Sequence, residues 1–337
     1  MTPENQPKPI NVAVIGGGSW ATAITKILSD GNVQINWWMR SAEDLKHIGQ
    51  FGRNPSYLSN VQINLNKVKL YSNLTDALTD VEIIVMAVPA AFVADAIKEL
   101  TPEDFKGKTV VSAIKGMIPK ENILVTEYIE KTYNVPKENI LVIVGPCHAE
   151  EVAMEKQSYL TIGGYSLANA KLFAHLLRTR YVKTSVIKDI DGAEYCAVMK
   201  NIVSLACGIA RGLNYGDNFQ AVLVSNAMQE IKRFIDAVDP MQRDLSASAY
   251  LGDLLVTAYS QFSRNRTFGN MIGRGYSVKS AQMEMNMIAE GYYAVKCVYE
   301  INRKYNVDMP ITTATYNILY ENIAPMVEFQ LLSENMK

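Results

Sequence analysis

The chain has 337 residues, of which 48% are hydrophobic and 20% are charged, and its formal net charge is -1. That length is more than one small core requires and predicts two domains in series. A nucleic-acid surface would need a basic stripe, and the sequence contains no dense block of lysine and arginine, so we expect no nucleic-acid partner.

The cysteines and the polar start of the chain bear on its location. Cys147, Cys196, Cys207 and Cys297 are too widely spaced for a zinc site or a disulfide framework, so we expect reduced thiols and no metal. Residues 1–9 are polar and lack the apolar segment of a signal peptide. Together these features predict a cytoplasmic protein.

The first half of the chain alternates short apolar runs with helical stretches. Several runs are apolar throughout, which is typical of a parallel sheet covered on both faces by helices. The sequence therefore predicts an α/β Rossmann-type domain with a mostly parallel sheet over residues 10–189. The predicted strands cover residues 11–15, 33–39, 82–88, 109–113, 140–144, 159–163 and 182–187.

After Asp189 the strand signals stop and helical periodicity takes over. This change predicts an all-α second domain over residues 190–337. Its most apolar stretch, residues 195–210, is too short and too polar to span a bilayer, so we expect a buried helix and no membrane insertion. The predicted helices cover residues 192–213, 218–238, 283–305 and 312–322.

A glycine-rich turn follows the first predicted strand and reads G-x-G-x-x-A from Gly16 to Ala21. Gly16 permits a tight turn, Gly18 allows the backbone to approach a pyrophosphate, and Ala21 is small enough for close packing of helix on strand. The helix that begins near Ser19 offers free N–H groups to phosphates. This context predicts a dinucleotide site, with a turn that binds nothing as the alternative.

Arg40 follows the second predicted strand, where NAD enzymes usually carry an acidic residue for the ribose. Because arginine accommodates a 2′-phosphate, the sequence predicts that NADPH is accepted, as well as NADH. A solvated arginine at the end of a strand is the alternative.

Lysine side chains mark two further positions. Lys115 follows the fourth of these strands, at the edge of a parallel sheet where ligands bind, although it could also be a surface lysine. Lys200 lies inside the apolar stretch, and burial would lower its pKa and suit it to proton transfer. Asp253, itself enclosed by apolar residues, could hold its ammonium group. A lysine that reaches solvent from the helix edge is the alternative.

Ser263, Arg264 and Asn265 combine a hydroxyl, a guanidinium and an amide in consecutive positions. These donors are typical of a site that binds phosphate. A solvated turn would have the same composition.

Taken in chain order, these motifs resemble those of the bacterial-type NAD(P)-dependent glycerol-3-phosphate dehydrogenases. The resemblance extends over essentially the whole chain, and the order of the motifs makes it specific. The matching segments are residues 16–21, 54–58, 115–116, 145–151, 192–194, 200–201, 252–254, 263–266 and 289–291.

The resemblance implies a role for individual residues, with Lys200 as the proton acceptor. It implies a helical domain like that of the phosphogluconate dehydrogenases, and a cytoplasmic homodimer that interconverts dihydroxyacetone phosphate and sn-glycerol 3-phosphate for glycerophospholipid synthesis. The implied cofactor contacts are Gly16, Gly18, Ser19, Trp20, Arg40, Tyr57, Lys115, Ala149, Arg264 and Glu290. The implied substrate contacts are Lys115, Gly145, Cys147, Lys200, Asp253, Ser263, Arg264 and Asn265.

The chain departs from the family pattern at a few positions. Ala21 replaces the usual third glycine, Cys147 stands where serine or threonine is usual, and residues 247–250 lack two glycines. Two other functions also remain open from the residues. One is a related hydroxy-acid or phosphosugar dehydrogenase, and the other is a non-catalytic NAD(P)H sensor.

Overall fold

The computed structural model describes residues 9–285 and 287–336, so the polar lead predicted at residues 1–9 lies almost wholly outside it. The strands are β1 Ile10–Ile15, β2 Val33–Trp38, β3 Val68–Tyr71, β4 Ile83–Met86, β5 Thr109–Ser112, β6 Met117–Ile118, β7 Ile123–Leu124, β8 Ile140–Val144, β9 Ser158–Gly164 and β10 Val182–Ile187.

The helices are distributed along the whole described chain and form all of the regular structure after β10. They are α1 Ser19–Asp30, α2 Ala42–Phe51, α3 Leu74–Ala77, α4 Val93–Ala96, α5 Pro102–Phe105, α6 Val125–Tyr133, α7 Ala149–Ala153, α8 Leu167–Leu176, α9 Asp191–Gly212, α10 Asp217–Val238, α11 Asp253–Tyr259, α12 Arg264–Gly273, α13 Val278–Glu284, α14 Glu290–Tyr305, α15 Pro310–Tyr320 and α16 Pro325–Asn335.

Eight strands form one sheet in the order β10-β9-β8-β5-β4-β1-β2-β3, and β6 pairs with β7 in a separate hairpin. Every neighbouring pair in the large sheet is parallel except β8 and β9. The exception has a simple cause: parallel neighbours need a long crossover, and the connection from β8 to β9 carries only the short α7. The Rossmann-type fold with a mostly parallel sheet, followed by helices, is confirmed.

Alternation along the central strands explains why both faces of the sheet are covered. Val12 and Val14 of β1 belong to the apolar core on one face, together with α1. Ala13 and Ile15 belong to the core on the other face, together with α4 and α6. Successive side chains of a strand point to opposite faces of the sheet. An uninterrupted apolar run is therefore stable only where helices cover both faces.

The long helix α9 is the centre of the second half of the structure. Among the described residues it alone is long and apolar enough to cross a bilayer, and 94% of its most apolar stretch is buried inside the protein, as expected of a core helix. Its closest neighbour is α12. A Cβ atom at Gly208 would lie 2.2 Å from the carbonyl oxygen of Arg266, and one at Gly269 would lie 2.0 Å from that of Leu205. These glycines allow the two backbones to touch.

One predicted helix was wrong at its start. The periodicity predicted a helix over residues 283–305, whereas α13 ends at Glu284 and α14 begins at Glu290. The reason is a tertiary contact: the Asn265 side-chain oxygen accepts a hydrogen bond from the Gly291 backbone N–H at 2.8 Å. An N–H in the first helical turn has no partner within its own helix, so this bond fixes where α14 begins.

Glu194 joins α9 to the sheet. Its side chain is 1% exposed, and its carboxyl oxygens accept a hydrogen bond from Thr126 of α6 and lie 3.5 Å from the Ser112 hydroxyl at the end of β5. Burial raises the pKa of Glu194 to about 8. This contact fixes the first turns of α9, the helix that carries Lys200.

We expect Glu194→Gln to raise the free energy of unfolding at pH 8 relative to wild type. The folded protein keeps a proton that the unfolded chain releases above its ordinary pKa of about 4.5, so wild type loses stability as the pH rises from about 4.5 to about 8. The loss is up to roughly 1.4 kcal/mol per pH unit, and glutamine avoids it. Urea unfolding at pH 5 and pH 8 measures the difference.

The matched control is Glu99→Gln, which changes an exposed glutamate and should show no gain that depends on pH. An equal effect of Glu194→Gln at both pH values would contradict the prediction.

Candidate active site

The glycine-rich turn between β1 and α1 has the shape that a dinucleotide requires. Gly16 has a φ of +133°, and a Cβ atom there would lie 2.5 Å from the carbonyl oxygen of Ala87. Gly18 faces open space, with nothing in the described chain within 4 Å of the position a Cβ would take. No side chain of the described residues caps the start of α1 after Gly18, so its N–H groups are available to an anion.

Asn54 ties the segment that carries Tyr57 to this turn. Its amide donates to the Gly17 carbonyl oxygen at 3.0 Å and to the Thr22 hydroxyl at 2.8 Å. Its carbonyl oxygen accepts from the backbone N–H groups of Ser56 and Tyr57, both at 3.1 Å. Asn54 was not among the predicted site residues, although its motif was noted, because its role depends on contacts distant in the sequence.

Two buried polar atoms that lack hydrogen-bond partners in the described chain indicate whether a dinucleotide fits this site. Trp20 Nε1, beside the turn, and Glu290 Oε2 are buried and have no hydrogen-bond partner within residues 9–285 and 287–336. A buried polar atom without a partner costs roughly 1–3 kcal/mol, so both atoms fit a polar ligand. Arg40 is exposed just after β2, where the ribose end of a dinucleotide would lie, and Ala149 is buried at the start of α7.

Glu290 also connects α14 to the segment after β4. Its Oε1 accepts a hydrogen bond from the Ala90 backbone N–H at 3.0 Å. Burial raises the pKa of Glu290 to about 7, although this hydrogen bond and the charge of Arg264 act in the opposite direction. The side chain can therefore exist in either protonation state near neutral pH.

Lys115, Lys200 and Asp253 meet in one buried cluster, so the structure brings together lysines from the two halves of the chain. Lys200 Nζ donates to Asp253 Oδ1 at 2.6 Å and to Thr257 Oγ1 at 2.8 Å. Lys115 Nζ donates to Asp253 Oδ2 at 2.9 Å. The Lys200 and Asp253 side chains are 6% and 1% exposed, which excludes the alternative in which Lys200 reaches solvent.

The balance between burial and the shared carboxylate differs for the two lysines. Burial lowers the pKa of Lys200 to about 8, with the charge of Asp253 acting against it and that of Lys115 adding to it. Burial also acts to lower the pKa of Lys115, but Asp253 outweighs it and the pKa lies above its usual value. The Asp253 carboxyl keeps a pKa below its usual range, because the two ammonium groups outweigh its burial. Lys200 is therefore the lysine that can exchange a proton near neutral pH.

Backbone contacts hold Lys115 in place. Its Nζ donates to the Gly145 carbonyl oxygen at 2.9 Å, and its own carbonyl oxygen accepts from the Asn201 amide at 2.7 Å. The Cys147 thiol lies 3.2 Å from the same Gly145 oxygen and 3.6 Å from Lys115 Nζ. Burial raises the pKa of Cys147, and the thiol stays protonated at neutral pH. Gly145 and Cys147 thus border the lysine cluster.

Of the three residues predicted to bind phosphate, Ser263 and Asn265 are buried and Arg264 is exposed. The Ser263 hydroxyl lies 2.6 Å from the Ser204 hydroxyl and accepts from the Arg266 backbone N–H at 3.3 Å. Asn265 bonds the start of α14, as described above. Arg264, at the start of α12, is exposed and lies close enough to Glu290 for its charge to act on that carboxyl.

Thr257 is a member of the cluster that sequence reasoning missed. It lies four residues after Asp253, on the same face of α11, and its hydroxyl donates to the Asp253 carbonyl oxygen while accepting from Lys200. The i, i+4 spacing was the available signal. Threonine at that spacing is common in helices, so the signal had no weight without the tertiary contact.

Comparison with known proteins identifies the family. The model for the N-terminus of NAD-dependent glycerol-3-phosphate dehydrogenase matches residues 11–170, and the model for its C-terminus matches residues 189–330. A glycerol-3-phosphate dehydrogenase (NAD(P)+) of Exiguobacterium sp. is 35% identical over 323 residues, which cover 96% of this chain and 94% of the relative. The corresponding Bacillus subtilis protein is 32% identical over 92% of this chain and 90% of its own length.

A solved structure supports the same family assignment. The crystal structure of glycerol-3-phosphate dehydrogenase from Coxiella burnetii superposes with a TM-score of 0.91 at 28% identity, covering 98% of this chain and all of that one. The resemblance stated from the sequence is therefore confirmed. With both family models matched in order and relatives aligned over nearly the whole length, the chain belongs to the NAD-dependent glycerol-3-phosphate dehydrogenase family.

Proposed function

We propose that this enzyme reduces dihydroxyacetone phosphate to sn-glycerol 3-phosphate with NADPH or NADH, in the cytoplasm and as a homodimer. The observation that carries the proposal is the buried Lys200 ammonium, which has two N–H groups bonded to Asp253 and Thr257. An ammonium has three such donors, so one remains for a substrate oxygen. The product supplies the backbone of glycerophospholipids.

Most of the residues that would hold the cofactor follow strands at the carboxyl edge of the sheet, and Arg264 and Glu290 come from the helical half of the chain. Gly16, Gly18 and Ser19 would bind the pyrophosphate at the start of α1, and Arg40 would contact the ribose. Lys115 and Arg264 would face both the cofactor and the substrate. When bound, the cofactor supplies the hydride that reduces the C2 carbonyl. Further contacts would come from Trp20, Tyr57, Ala149 and Glu290.

Lys200 would donate a proton to the C2 oxygen during reduction and accept it during oxidation. A pKa of about 8 suits both directions, because the energy of either proton transfer is small near neutral pH. Asp253 and Thr257 orient the ammonium, and Lys115 adds a positive charge that stabilises the developing alkoxide. Two ammonium groups around one carboxylate leave a net positive charge, which favours an anionic substrate.

The phosphate of the substrate would lie near the start of α12, between Arg264 and the residues around Gly145 and Cys147. Arg264 is exposed there, and the α12 N-terminus adds backbone donors. Ser263, Arg264 and Asn265 together form the wall of the site that would hold the phosphate. The hydrogen bonds of Ser263 to Ser204 and of Asn265 to Gly291 keep this wall rigid. Cys147 replaces a hydroxyl with a thiol, which is a weaker hydrogen-bond donor.

The other functions predict different chemistry. A hydroxy-acid dehydrogenase would bind a carboxylate, and a sensor would bind the cofactor without turning over a substrate. The oxidation of NADPH can be measured by its absorbance in the presence of dihydroxyacetone phosphate, of the 2-oxo acid ketopantoate, or of no substrate. These three measurements distinguish the three functions. Our proposal requires turnover with the phosphate ester. Turnover of the 2-oxo acid alone, or of neither compound, would refute it.

We expect Lys200→Ala to lower kcat by at least roughly 100-fold, the usual scale for loss of a general acid. The affinity for NADPH should barely change, because the glycine-rich turn is untouched. Steady-state kinetics and fluorescence titration of NADPH measure the two quantities. Lys188→Ala removes an exposed lysine just before α9 and serves as the control. Near-normal turnover of Lys200→Ala would rule out the proton-transfer role.

We expect wild type to use NADPH at least as well as NADH, and Arg40→Asp to shift the preference toward NADH. The substitution removes the partner of the 2′-phosphate and adds repulsion. The ratio of kcat/KM for the two cofactors reports the shift. Lys69→Asp, which reverses a charge on the adjacent β3, should leave the ratio unchanged. Strict dependence of wild type on NADH would contradict the prediction.

We expect Arg264→Ala to lower kcat/KM for dihydroxyacetone phosphate by roughly tenfold to a hundredfold, because charge-assisted hydrogen bonds contribute about 1.5–3 kcal/mol each. The same variant should lose far less kcat/KM with unphosphorylated dihydroxyacetone, which has no phosphate for Arg264 to bind. The Kd of the cofactor is measured in parallel, because Arg264 would also face the cofactor. The control is Arg274→Ala, which removes an exposed arginine just after α12. Equal losses for both substrates would show that Arg264 is structural.

A further inference from the structure

His148 lies between Cys147, at the lysine cluster, and Ala149, at the start of α7. Its Nε2 atom is buried and finds no hydrogen-bond partner in the part of the chain that the structure describes. Leaving a buried polar atom unpaired is unfavourable, and such atoms are uncommon in folded proteins. The position of this atom therefore indicates a polar ligand.

The surroundings of the imidazole place it at the substrate side of the site. The charges of Lys200, Lys115 and Asp253 all act on it. Its ring centroid lies 6.2 Å from that of Phe262, the residue just before Ser263. The imidazole is thus close both to the cluster that would hold the C2 oxygen and to the wall that would hold the phosphate.

The imidazole is neutral at physiological pH. Burial, together with the charges of Lys200 and Lys115, lowers the pKa of His148 to about 4, while the backbone of Val256 and the charge of Asp253 act in the opposite direction. A neutral imidazole carries one donor and one acceptor nitrogen. It can hold a hydroxyl group without competing with Lys200 as the proton donor.

We propose that His148 is a specificity-determining residue whose Nε2 atom binds the C1 hydroxyl of dihydroxyacetone phosphate. The inference rests on the proposed function, in which Lys200 takes the C2 oxygen and Arg264 the phosphate. The C1 hydroxyl is the polar group of the substrate that those two residues leave without a partner. A site with a buried partner for a hydroxyl rejects the analogue that lacks it, because the partner is then left unpaired.

The test compares dihydroxyacetone phosphate with acetol phosphate, which has a methyl group in place of the C1 hydroxymethyl group. His148→Phe removes both ring nitrogens. It should lower kcat/KM for dihydroxyacetone phosphate by roughly tenfold or more and change kcat/KM for acetol phosphate little. The preference of wild type for the hydroxylated substrate should therefore collapse. NADPH affinity, measured by fluorescence titration, should stay unchanged.

Two further variants locate the effect at one atom of the ring. His148→Gln places an amide near the position of Nε2 and should recover most of the preference. His148→Asn places its amide near Nδ1 and should not. If His148→Phe fails to fold, the contrast between these two polar variants decides the question.

Equal losses of kcat/KM for the two substrates, or equal behaviour of the glutamine and asparagine variants, would overturn the role of His148. Both outcomes are distinct from failure of the proposed function, which would appear as a wild-type enzyme that does not turn over dihydroxyacetone phosphate at all.

Discussion

Asp253 accepts hydrogen bonds from Lys115, which follows β5, and from Lys200, which lies on α9. Its carboxylate is almost fully buried, and removing a charge from water costs several kcal/mol unless a partner compensates. The Asp253 charge is therefore tolerable only while ammonium groups compensate it, and each ammonium group depends in turn on that carboxylate. This mutual dependence requires the helical half of the chain to pack on the carboxyl edge of the sheet, and it places the site where the two halves meet.

The same interaction gives the two lysines different properties. One carboxylate cannot fully compensate two ammonium groups, so the pKa of Lys115 lies above its usual value and that of Lys200 falls to about 8. A permanently charged lysine suits binding of an anion, and a lysine that titrates near neutral pH suits proton transfer. Chemically identical side chains thus acquire different pKa values, and the pKa falls at the more deeply buried Lys200, which is 6% exposed against 15% for Lys115.

Contacts outside the cluster keep its geometry fixed. Gly208 and Gly269 let α9 and α12 approach until their backbones touch, which brings Ser263 against Ser204 one turn from Lys200. Glu194 bonds α9 to α6, near the end of β5. A lysine on a long, buried helix that is held at several points loses little further freedom when a substrate binds, and this preorganisation favours electrostatic catalysis.

The sequence by itself determined the features that depend on local patterns. The apolar runs predicted the parallel sheet, Gly16 and Gly18 predicted a tight turn before α1, and the isolated Lys200 in an apolar stretch predicted a buried amine. Only the tertiary structure decided that Thr257 holds Lys200 and that β9 runs antiparallel to β8. The physical reason is range: strand alternation, helix periodicity and turn geometry are set by neighbours in the chain. Hydrogen-bond partners and strand pairings are chosen among residues far apart in sequence, where local propensity carries no information.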